Sequence, residues 1–170
     1  MPLYLVGPMG SGKSAVGRRL SRDLGRVFAD SDDEIEERTG VEVAYIFDRE
    51  GEAGFRRREE EVIADLSKIP GLILATGGGS ILSEANRKAL VAGGTVIYLH
   101  TSVEHQLRRT RRGRERPLLN RGDPRQVLED LMAVREPLYR SIADLVVETS
   151  GRRVPAVARE IRQKLDLMSG

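Results

Sequence analysis

Short apolar runs alternate along the chain with longer polar stretches, in which apolar residues recur at helical spacing. Five of the apolar runs are rich in β-forming residues and almost uninterrupted, which is typical of strands covered on both faces of a parallel sheet. The predicted strands span residues 3–6, 27–29, 72–75, 95–99 and 145–147. The pattern therefore predicts an α/β fold of three layers, α/β/α, around a central five-stranded parallel sheet.

The polar stretches between these strands predict the helices of the two outer layers. In the first of them, Ala15, Val16 and Leu20 supply the apolar face, and Gly25 follows as a stop signal. The predicted helices span residues 13–24, 32–38, 52–67, 83–92, 103–110, 125–139 and 154–167. The segment 111–124 holds two glycines and two prolines among its arginines, so it predicts a mobile loop between two helices.

Composition narrows the class of protein. A length of 170 residues suits one domain with a sizeable core, and we expect no second domain. The absence of cysteine excludes disulfides and thiolate metal sites, so any metal must bind oxygen or histidine. The sequence has no signal-peptide pattern and no apolar stretch of membrane-spanning length. We therefore expect a soluble cytoplasmic protein without a membrane partner.

The net charge of +2 conceals an uneven distribution, because six arginines fall within residues 108–116. Such a run can be a nucleic-acid patch, a solvated helix face, or a lid that delivers arginine to phosphates. No aromatic residue lies nearby to stack on bases, which argues against binding of single-stranded nucleic acid. We expect no nucleic-acid partner, and the lack of an unexplained apolar stripe favours a monomer.

A glycine-rich loop follows the first strand. Residues 7–14 match the pattern G-x-x-x-x-G-K-[ST] directly after the first apolar run. Its glycines permit positive φ and close backbone approach, so successive N–H groups can surround a phosphate at the start of a helix. Lys13 would reach the β- and γ-phosphate oxygens, and Ser14 offers a hydroxyl to Mg²⁺. A chance glycine turn is the alternative, but the strand–loop–helix context favours a triphosphate site.

Two aspartates follow the second strand. If the chain stays extended, Asp30 and Asp32 point the same way, towards the sheet edge where ligands collect in α/β proteins. Helix capping by Asp30 or Ser31, with Asp32 in the first turn, is the other interpretation. The two roles are compatible, and both stay open.

Two further features are ambiguous in isolation. Arg56 has Glu59 and Glu60 three and four positions on, a spacing that can hold a guanidinium for an anion but is common on solvated helix faces. Three successive glycines at 77–79 follow the third strand. Their backbone can lie against a ligand or form a plain flexible turn.

Taken together, these residues resemble the shikimate kinase family, in the nucleoside-monophosphate-kinase branch of P-loop proteins. The resemblance extends over nearly the whole chain. It is carried by residues 7–14, Phe28-x-Asp30-x-Asp32, Gly54-Phe55-Arg56 with Glu59, residues 77–79, Arg116-Pro117-Leu118-Leu119 and Arg135-x-Pro137-Leu138-Tyr139. It implies a single P-loop kinase domain over residues 1–170, with a lid at about 111–124 and a substrate-binding helical region at about 31–62.

The resemblance also implies ligand sites. Nucleotide binding would involve Gly10, Ser11, Gly12, Lys13, Ser14, Ala15, Arg109, Arg116 and Arg153, with Arg152 as the alternative to Arg153 beside adenine. Shikimate would be bound by Asp32, Arg56, Gly77, Gly78, Gly79 and Arg135. Ser14 and Asp30 would hold Mg²⁺, and the implied catalytic residues are Lys13, Asp32 and Arg116.

The implied reaction moves the γ-phosphoryl group of ATP to the 3-hydroxyl of shikimate, giving shikimate 3-phosphate and ADP on the route to chorismate and aromatic amino acids. Asp32 would orient the hydroxyl and accept its proton, and arginines would bind the carboxylate. Three alternatives stay open: a gluconate kinase, a nucleotide-binding regulator without catalysis, and a nucleic-acid-binding protein. Gluconate kinases share the loop and a small acid substrate, but the resemblance to them does not extend to the paired aspartates and triple glycine.

Overall fold

The computed structural model describes residues 1–112 and 122–169. Its strands are β1 (Leu3–Val6), β2 (Phe28–Asp30), β3 (Ile73–Ala75), β4 (Thr95–His100) and β5 (Leu145–Glu148). They form one parallel sheet in the order β2-β3-β1-β4-β5, and Leu3 of the central strand pairs with Ile73 on one side and Thr95 on the other. The predicted fold class is confirmed, and each predicted strand end lies within one residue of the observed end.

Helices cover both faces of this sheet. Within the described residues they are α1 (Lys13–Leu24), α2 (Ser31–Thr39), α3 (Val43–Leu66), α4 (Glu84–Gly93), α5 (Val103–Arg112), α6 (Pro124–Ile142) and α7 (Val154–Ser169). A short 3₁₀ turn, which the sequence pattern did not predict, spans Ser80–Leu82. None of the helices in the described ranges combines the length and the apolar character needed to cross a bilayer.

Helix α3 consists of two helical segments, residues 43–50 and 52–66, and the second is the helix predicted at 52–67. Gly51 separates the two segments, and its non-helical φ of 73° and ψ of −180° produce a kink. Phe47 and Phe55 stack across this kink with their ring centroids 4.6 Å apart. A glycine at positive φ normally ends a helix, so local sequence alone favours a shorter element. The aromatic contact packs the predicted segment against the first one, residues 43–50, which the periodicity did not predict.

Alternating strand residues divide the core between the two faces of the sheet. Tyr4 and Tyr98 are buried with residues of α2, α3, α4 and α6, and Leu5 and Ile97 are buried with residues of α1 and α7. Burial on both faces explains why β1 and β4 are nearly uninterrupted apolar runs. The loops that leave the carboxyl ends of β1, β2 and β3 meet at one edge, where the candidate site lies.

Candidate active site

The glycine-rich loop connects β1 to α1 at the carboxyl edge of the sheet. Gly10 and Gly12 have φ values of 79° and 85°, and Gly12 is the N-cap of α1. Gly7 lies so close to β4 that a Cβ on it would be 2.5 Å from the carbonyl oxygen of Leu99. Positive φ and close packing therefore account for these glycines, and free N–H groups at the start of a helix suit a phosphate.

Lys13, the first residue of α1, folds back over the loop. Its Nζ donates to the carbonyl oxygens of Gly7 and Pro8 at 2.7 and 2.9 Å. A bound phosphate could replace these carbonyls with charged acceptors, which form stronger hydrogen bonds to ammonium. Ser11 is buried within the loop, whereas Ala15 is exposed in the first turn of α1.

Asp30 ends β2 and caps α2. Its Oδ1 accepts hydrogen bonds from the backbone N–H groups of Asp32 and Asp33 at 2.9 and 3.2 Å, and its Oδ2 accepts one from the hydroxyl of Ser14. The capping interpretation is therefore correct for Asp30. The argument from strand alternation is wrong, because Asp32 lies in the first turn of α2 rather than in extended chain.

The Ser14–Asp30 pair has the chemistry of a magnesium site. Mg²⁺ prefers oxygen ligands and is usually held by one or two protein groups together with phosphate and water oxygens. The Ser14 hydroxyl and the Asp30 carboxylate supply two such oxygens at the start of α1. The donor set present thus fits a magnesium ion shared with a nucleotide.

A charged cluster forms where α2 and α3 meet the glycine turn at 77–79. Arg56 donates from Nη1 to Oε1 of Glu59 at 2.9 Å, and the Glu59 side chain is fully buried. Burial raises the pKa of Glu59 to about 7, although the nearby guanidinium of Arg56 acts in the opposite direction. A Cβ on Gly77 would lie 2.8 Å from Oε2 of Glu59 and 2.9 Å from Oδ1 of Asp32, and one on Gly79 would overlap the guanidinium of Arg56. The glycines therefore leave room for charged side chains.

Gly78 joins this cluster to the phosphate loop. A Cβ on Gly78 would lie 3.5 Å from the backbone nitrogen of Met9 and 3.6 Å from Nη1 of Arg135. Arg135 is only 6% exposed, and its neighbour on α6, Tyr139, donates its hydroxyl to the carbonyl oxygen of Gly78 at 2.6 Å. Burial also raises the pKa of Tyr139, so it stays a hydrogen-bond donor. The structure thus brings Arg56, Arg135 and the phosphate loop around one turn.

The remaining arginines of the predicted nucleotide site differ in their surroundings. Arg109 on α5 approaches the loop, since a Cβ on Gly12 would lie 3.4 Å from its Nη1. Arg152 forms an ion pair with Glu160 at 2.7 Å, whereas the side chain of Arg153 is exposed. Arg116 and residues 113–121 of the predicted lid lie outside the described residues.

Two residues of this site were absent from the predicted binding set. Glu59 fixes Arg56, and its i,i+3 spacing from that arginine was the available sequence signal. Tyr139 binds the glycine turn, but nothing in local sequence distinguishes it from an ordinary core tyrosine. Burial and contacts between distant elements, rather than residue type, bring both into the site.

Residues 9–166 match the family model described as SKI: Shikimate kinase. The chain belongs to the shikimate kinase family. A shikimate kinase of Pseudomonas aeruginosa (strain LESB58) is 54% identical over 163 residues, which cover 96% of this chain and 95% of that protein. This family consists of ATP-dependent kinases, so the chain is an enzyme of that type.

Solved structures agree with membership of the shikimate kinase family. A shikimate kinase from Acinetobacter baumannii in complex with shikimate superimposes with a TM-score of 0.94 at 49% identity, covering 96% of this chain and 92% of that one. A gluconokinase from Sinorhizobium meliloti 1021 gives a TM-score of 0.60 at 17% identity, with coverage of 99% and 97%. The second likeness concerns the fold alone, and it confirms the P-loop kinase architecture.

Proposed function

We propose that the enzyme transfers the γ-phosphoryl group of ATP to the 3-hydroxyl of shikimate and releases shikimate 3-phosphate and ADP. The observation that carries this proposal is the meeting at Gly78 of the phosphate loop with a turn flanked by Arg56 and Arg135. The γ-phosphate of ATP in the loop and a hydroxy acid bound by the arginines would then lie next to each other. The shikimate-bound relative from Acinetobacter baumannii supports this choice of acceptor. The product would enter the route to chorismate and aromatic amino acids.

The two arginines would bind the carboxylate of shikimate. A guanidinium offers parallel donors that match the two oxygens of a carboxylate, a geometry that lysine cannot copy. The ion pair with Glu59 supports this role because it restricts the orientation of Arg56. Deep burial of Arg135 restricts its position in the same way. Asp32 would bind ring hydroxyls, and the backbone of Gly77, Gly78 and Gly79 would line the acceptor site.

The acceptor hydroxyl oxygen would attack the γ-phosphorus, and the bond from that phosphorus to the bridging oxygen of ADP would break. Asp32 would orient the hydroxyl and accept its proton. A carboxylate is a weak base, but a loose transition state needs little proton transfer before the bond to the leaving group breaks. Lys13, together with Arg116, would stabilise charge on the transferring and leaving oxygens.

Ser14 and Asp30 would hold Mg²⁺ in this scheme. When bound, the ion supplies charge neutralisation on the phosphate oxygens. The contact between the Ser14 hydroxyl and the Asp30 carboxylate supports this assignment, because it brings two suitable oxygens together beside the phosphate loop.

The nucleotide would be bound by the loop and by flanking arginines. Gly10, Ser11, Gly12, Lys13, Ser14 and Ala15 would contact its phosphates. Arg109 and Arg153 would border adenine. The exposed side chain of Arg153 supports its choice over Arg152, which is already paired with Glu160.

We further propose that residues 1–170 act as a single monomeric kinase domain in the cytoplasm, without nucleic-acid or membrane partners. Residues 31–62 would form the substrate-binding region and residues 111–124 the lid. The single sheet and its two-sided core support one domain.

The test is release of ADP from ATP and Mg²⁺ with shikimate, with gluconate and with no acceptor, followed by the mass of the product. Release with shikimate alone, and its loss in Arg56→Ala, would support both the acceptor and its carboxylate site. Arg57→Ala is the matched control, because Arg57 is the exposed neighbour on the same helix. Release with gluconate, or with neither acid despite ATP binding, would contradict the proposal and favour a different kinase or a nucleotide-binding regulator.

A further inference from the structure

Gln106 contacts the phosphate loop from a distant part of the chain. It lies on α5, is 2% exposed, and donates from Nε2 to the carbonyl oxygen of Met9 at 2.8 Å. Met9 is inside the glycine-rich loop, 97 positions earlier in the sequence. No pattern in the sequence assigned a function to Gln106, and it is not among the residues of the proposed site.

The amide of Gln106 can meet the loop in only one orientation. Its Oε1 is buried and has no hydrogen-bond partner within the described residues. Turning the amide over would place this oxygen against the carbonyl oxygen of Met9, and two acceptors cannot form a hydrogen bond. The Nε2 group therefore faces Met9, and the contact fixes the direction of that carbonyl.

The direction of the Met9 carbonyl also fixes the next N–H group. A peptide unit is planar and trans, so its C=O and N–H point in opposite directions. Because the carbonyl of Met9 points at α5, the N–H of Gly10 points away from α5. Gly10 itself packs on this helix, since a Cβ there would lie 3.6 Å from Cα and 3.7 Å from Cγ of Gln106. Helix α5 thus supports the loop at two consecutive residues.

We propose that Gln106 is a positioning residue for nucleotide binding, which holds the Met9–Gly10 peptide so that the N–H of Gly10 is presented to the phosphates. This inference rests on the proposed function, in which the loop binds ATP. Gln106 acts through the loop and not by contact with the nucleotide. Replacing Gln106 would therefore have two effects. It would remove the hydrogen bond to Met9, and the N–H of Gly10 would no longer be held towards the phosphates.

The first test is Gln106→Met, which keeps the Cγ near Gly10 and removes the donor. We expect about 5- to 20-fold weaker binding of ADP with Mg²⁺ in calorimetric titration, a similar rise in the KM for ATP, and less than about a two-fold change in the KM for shikimate. Gln126→Met is the matched control, because exposed Gln126 donates its amide to Asp130 on α6 at 2.8 Å. Normal ADP affinity in Gln106→Met, or an equal rise in both KM values, would overturn the inference.

The second test, Gln106→Glu, separates hydrogen bonding from packing. When ionised, the carboxylate has no donor for Met9, and when protonated its O–H can donate again. Compared with Gln106→Met at the same pH, it should bind ADP more weakly at about pH 8 and more tightly at about pH 5.5. If protonation only relieved charge repulsion, Gln106→Glu and Gln106→Met would bind ADP with equal affinity at about pH 5.5. Equality there would therefore overturn the inference.

The ADP titrations do not involve the acceptor, so the two proposals can fail separately. Weak ADP binding by Gln106→Met in an enzyme that does not phosphorylate shikimate would support the positioning role and contradict the proposed acceptor. Phosphorylation of shikimate together with normal ADP binding by Gln106→Met would support the proposed function and overturn the inference.

Discussion

Asp30 and Asp32 are two positions apart but face different partners, because helix α2 begins between them. Asp30 accepts hydrogen bonds from the start of α2 and from Ser14. Asp32 approaches Gly77 and raises the pKa of Glu59 through its charge. In the proposed reaction only Asp32 is on the acceptor side, so the two carboxylates should have separable effects.

Replacing Asp32 tests this separation. Asp32→Asn should lower kcat by about 100-fold or more, because the amide keeps the shape of the side chain but cannot accept the hydroxyl proton. ADP affinity should stay within about three-fold of wild type, since the substituted carboxylate faces Gly77 and its backbone hydrogen bond to Asp30 is kept. Steady-state kinetics with shikimate and calorimetric titration with ADP measure the two quantities.

The matched control for this experiment is Asp33→Asn. Asp33 lies in the same first turn of α2 but is exposed, so its replacement changes the charge at the helix end without changing the acceptor side. Turnover should therefore stay close to wild type in the control. Equal losses of turnover and ADP affinity in Asp32→Asn would count against a role in proton transfer.

At the scale of elements, side chains of α2 and α3 pack against the glycine turn after β3 and determine its shape. Ser31, at the start of α2, accepts a hydrogen bond from the N–H of Gly77 at 3.0 Å. Gly79 has φ of −91° and ψ of −1°, a turn conformation that residues other than glycine also adopt. Its backbone therefore does not require glycine. Glycine is required at this position by the lack of space, because a Cβ would overlap the guanidinium of Arg56.

Gly79→Ala should therefore weaken acceptor binding by displacing Arg56. We expect the KM for shikimate to rise by about 10- to 100-fold, with the KM for ATP nearly unchanged, since a lost charge-assisted hydrogen bond is worth about 1.5 to 3 kcal/mol. Both single variants and the double variant with Arg56→Ala form a thermodynamic cycle. In the Arg56→Ala background, the further substitution Gly79→Ala should leave the KM for shikimate almost unchanged. The same added loss in both backgrounds would indicate that residue 79 does not act through Arg56.

The elements could be predicted where local pattern and tertiary structure agree. Burial on both faces makes each of the central strands an apolar run, and the end of α1 at residue 24 coincides with Gly25 in the left-handed region. The first segment of α3, residues 43–50, was not predicted, and a stacked pair of phenylalanines packs it against the second segment across Gly51. Local periodicity contains no information about such a contact.

For the molecule as a whole, the candidate site could be predicted in part. The phosphate loop is contiguous in sequence, so its spacing alone indicates phosphate binding. The acceptor side is assembled from α2, α3, α6 and the glycine turn, and the sequence left Arg56 open between an anion site and a solvated helix face. The buried Glu59 argues against the solvated face, because such a face would not enclose a carboxyl group, and anion binding by Arg56 stays a prediction. Such burial depends on how all the elements pack.

The burial of Glu59 also couples the acceptor side to the stability of the whole chain. Burial raises its pKa from 4.5 to about 7, with Asp32 acting in the same direction and with Arg56 and Arg135 opposing it. The folded enzyme therefore binds this proton more tightly than the unfolded chain does. The contribution of Glu59 to the free energy of unfolding is most favourable below about pH 4.5 and is lost as the pH rises through about 7.

Glu59→Gln should remove this dependence, because the amide does not titrate. Between about pH 5 and pH 8, the free energy of unfolding of the variant should gain roughly 2 to 3 kcal/mol relative to wild type, which follows from a pKa difference of this size. Urea unfolding of the ligand-free proteins at several pH values measures it, with Glu61→Gln on the exposed side of α3 as the control. A constant difference between Glu59→Gln and wild type across this range would mean that Glu59 is already ionised at pH 5. In that case Arg56 would outweigh desolvation, and the acceptor side would contain a permanent ion pair.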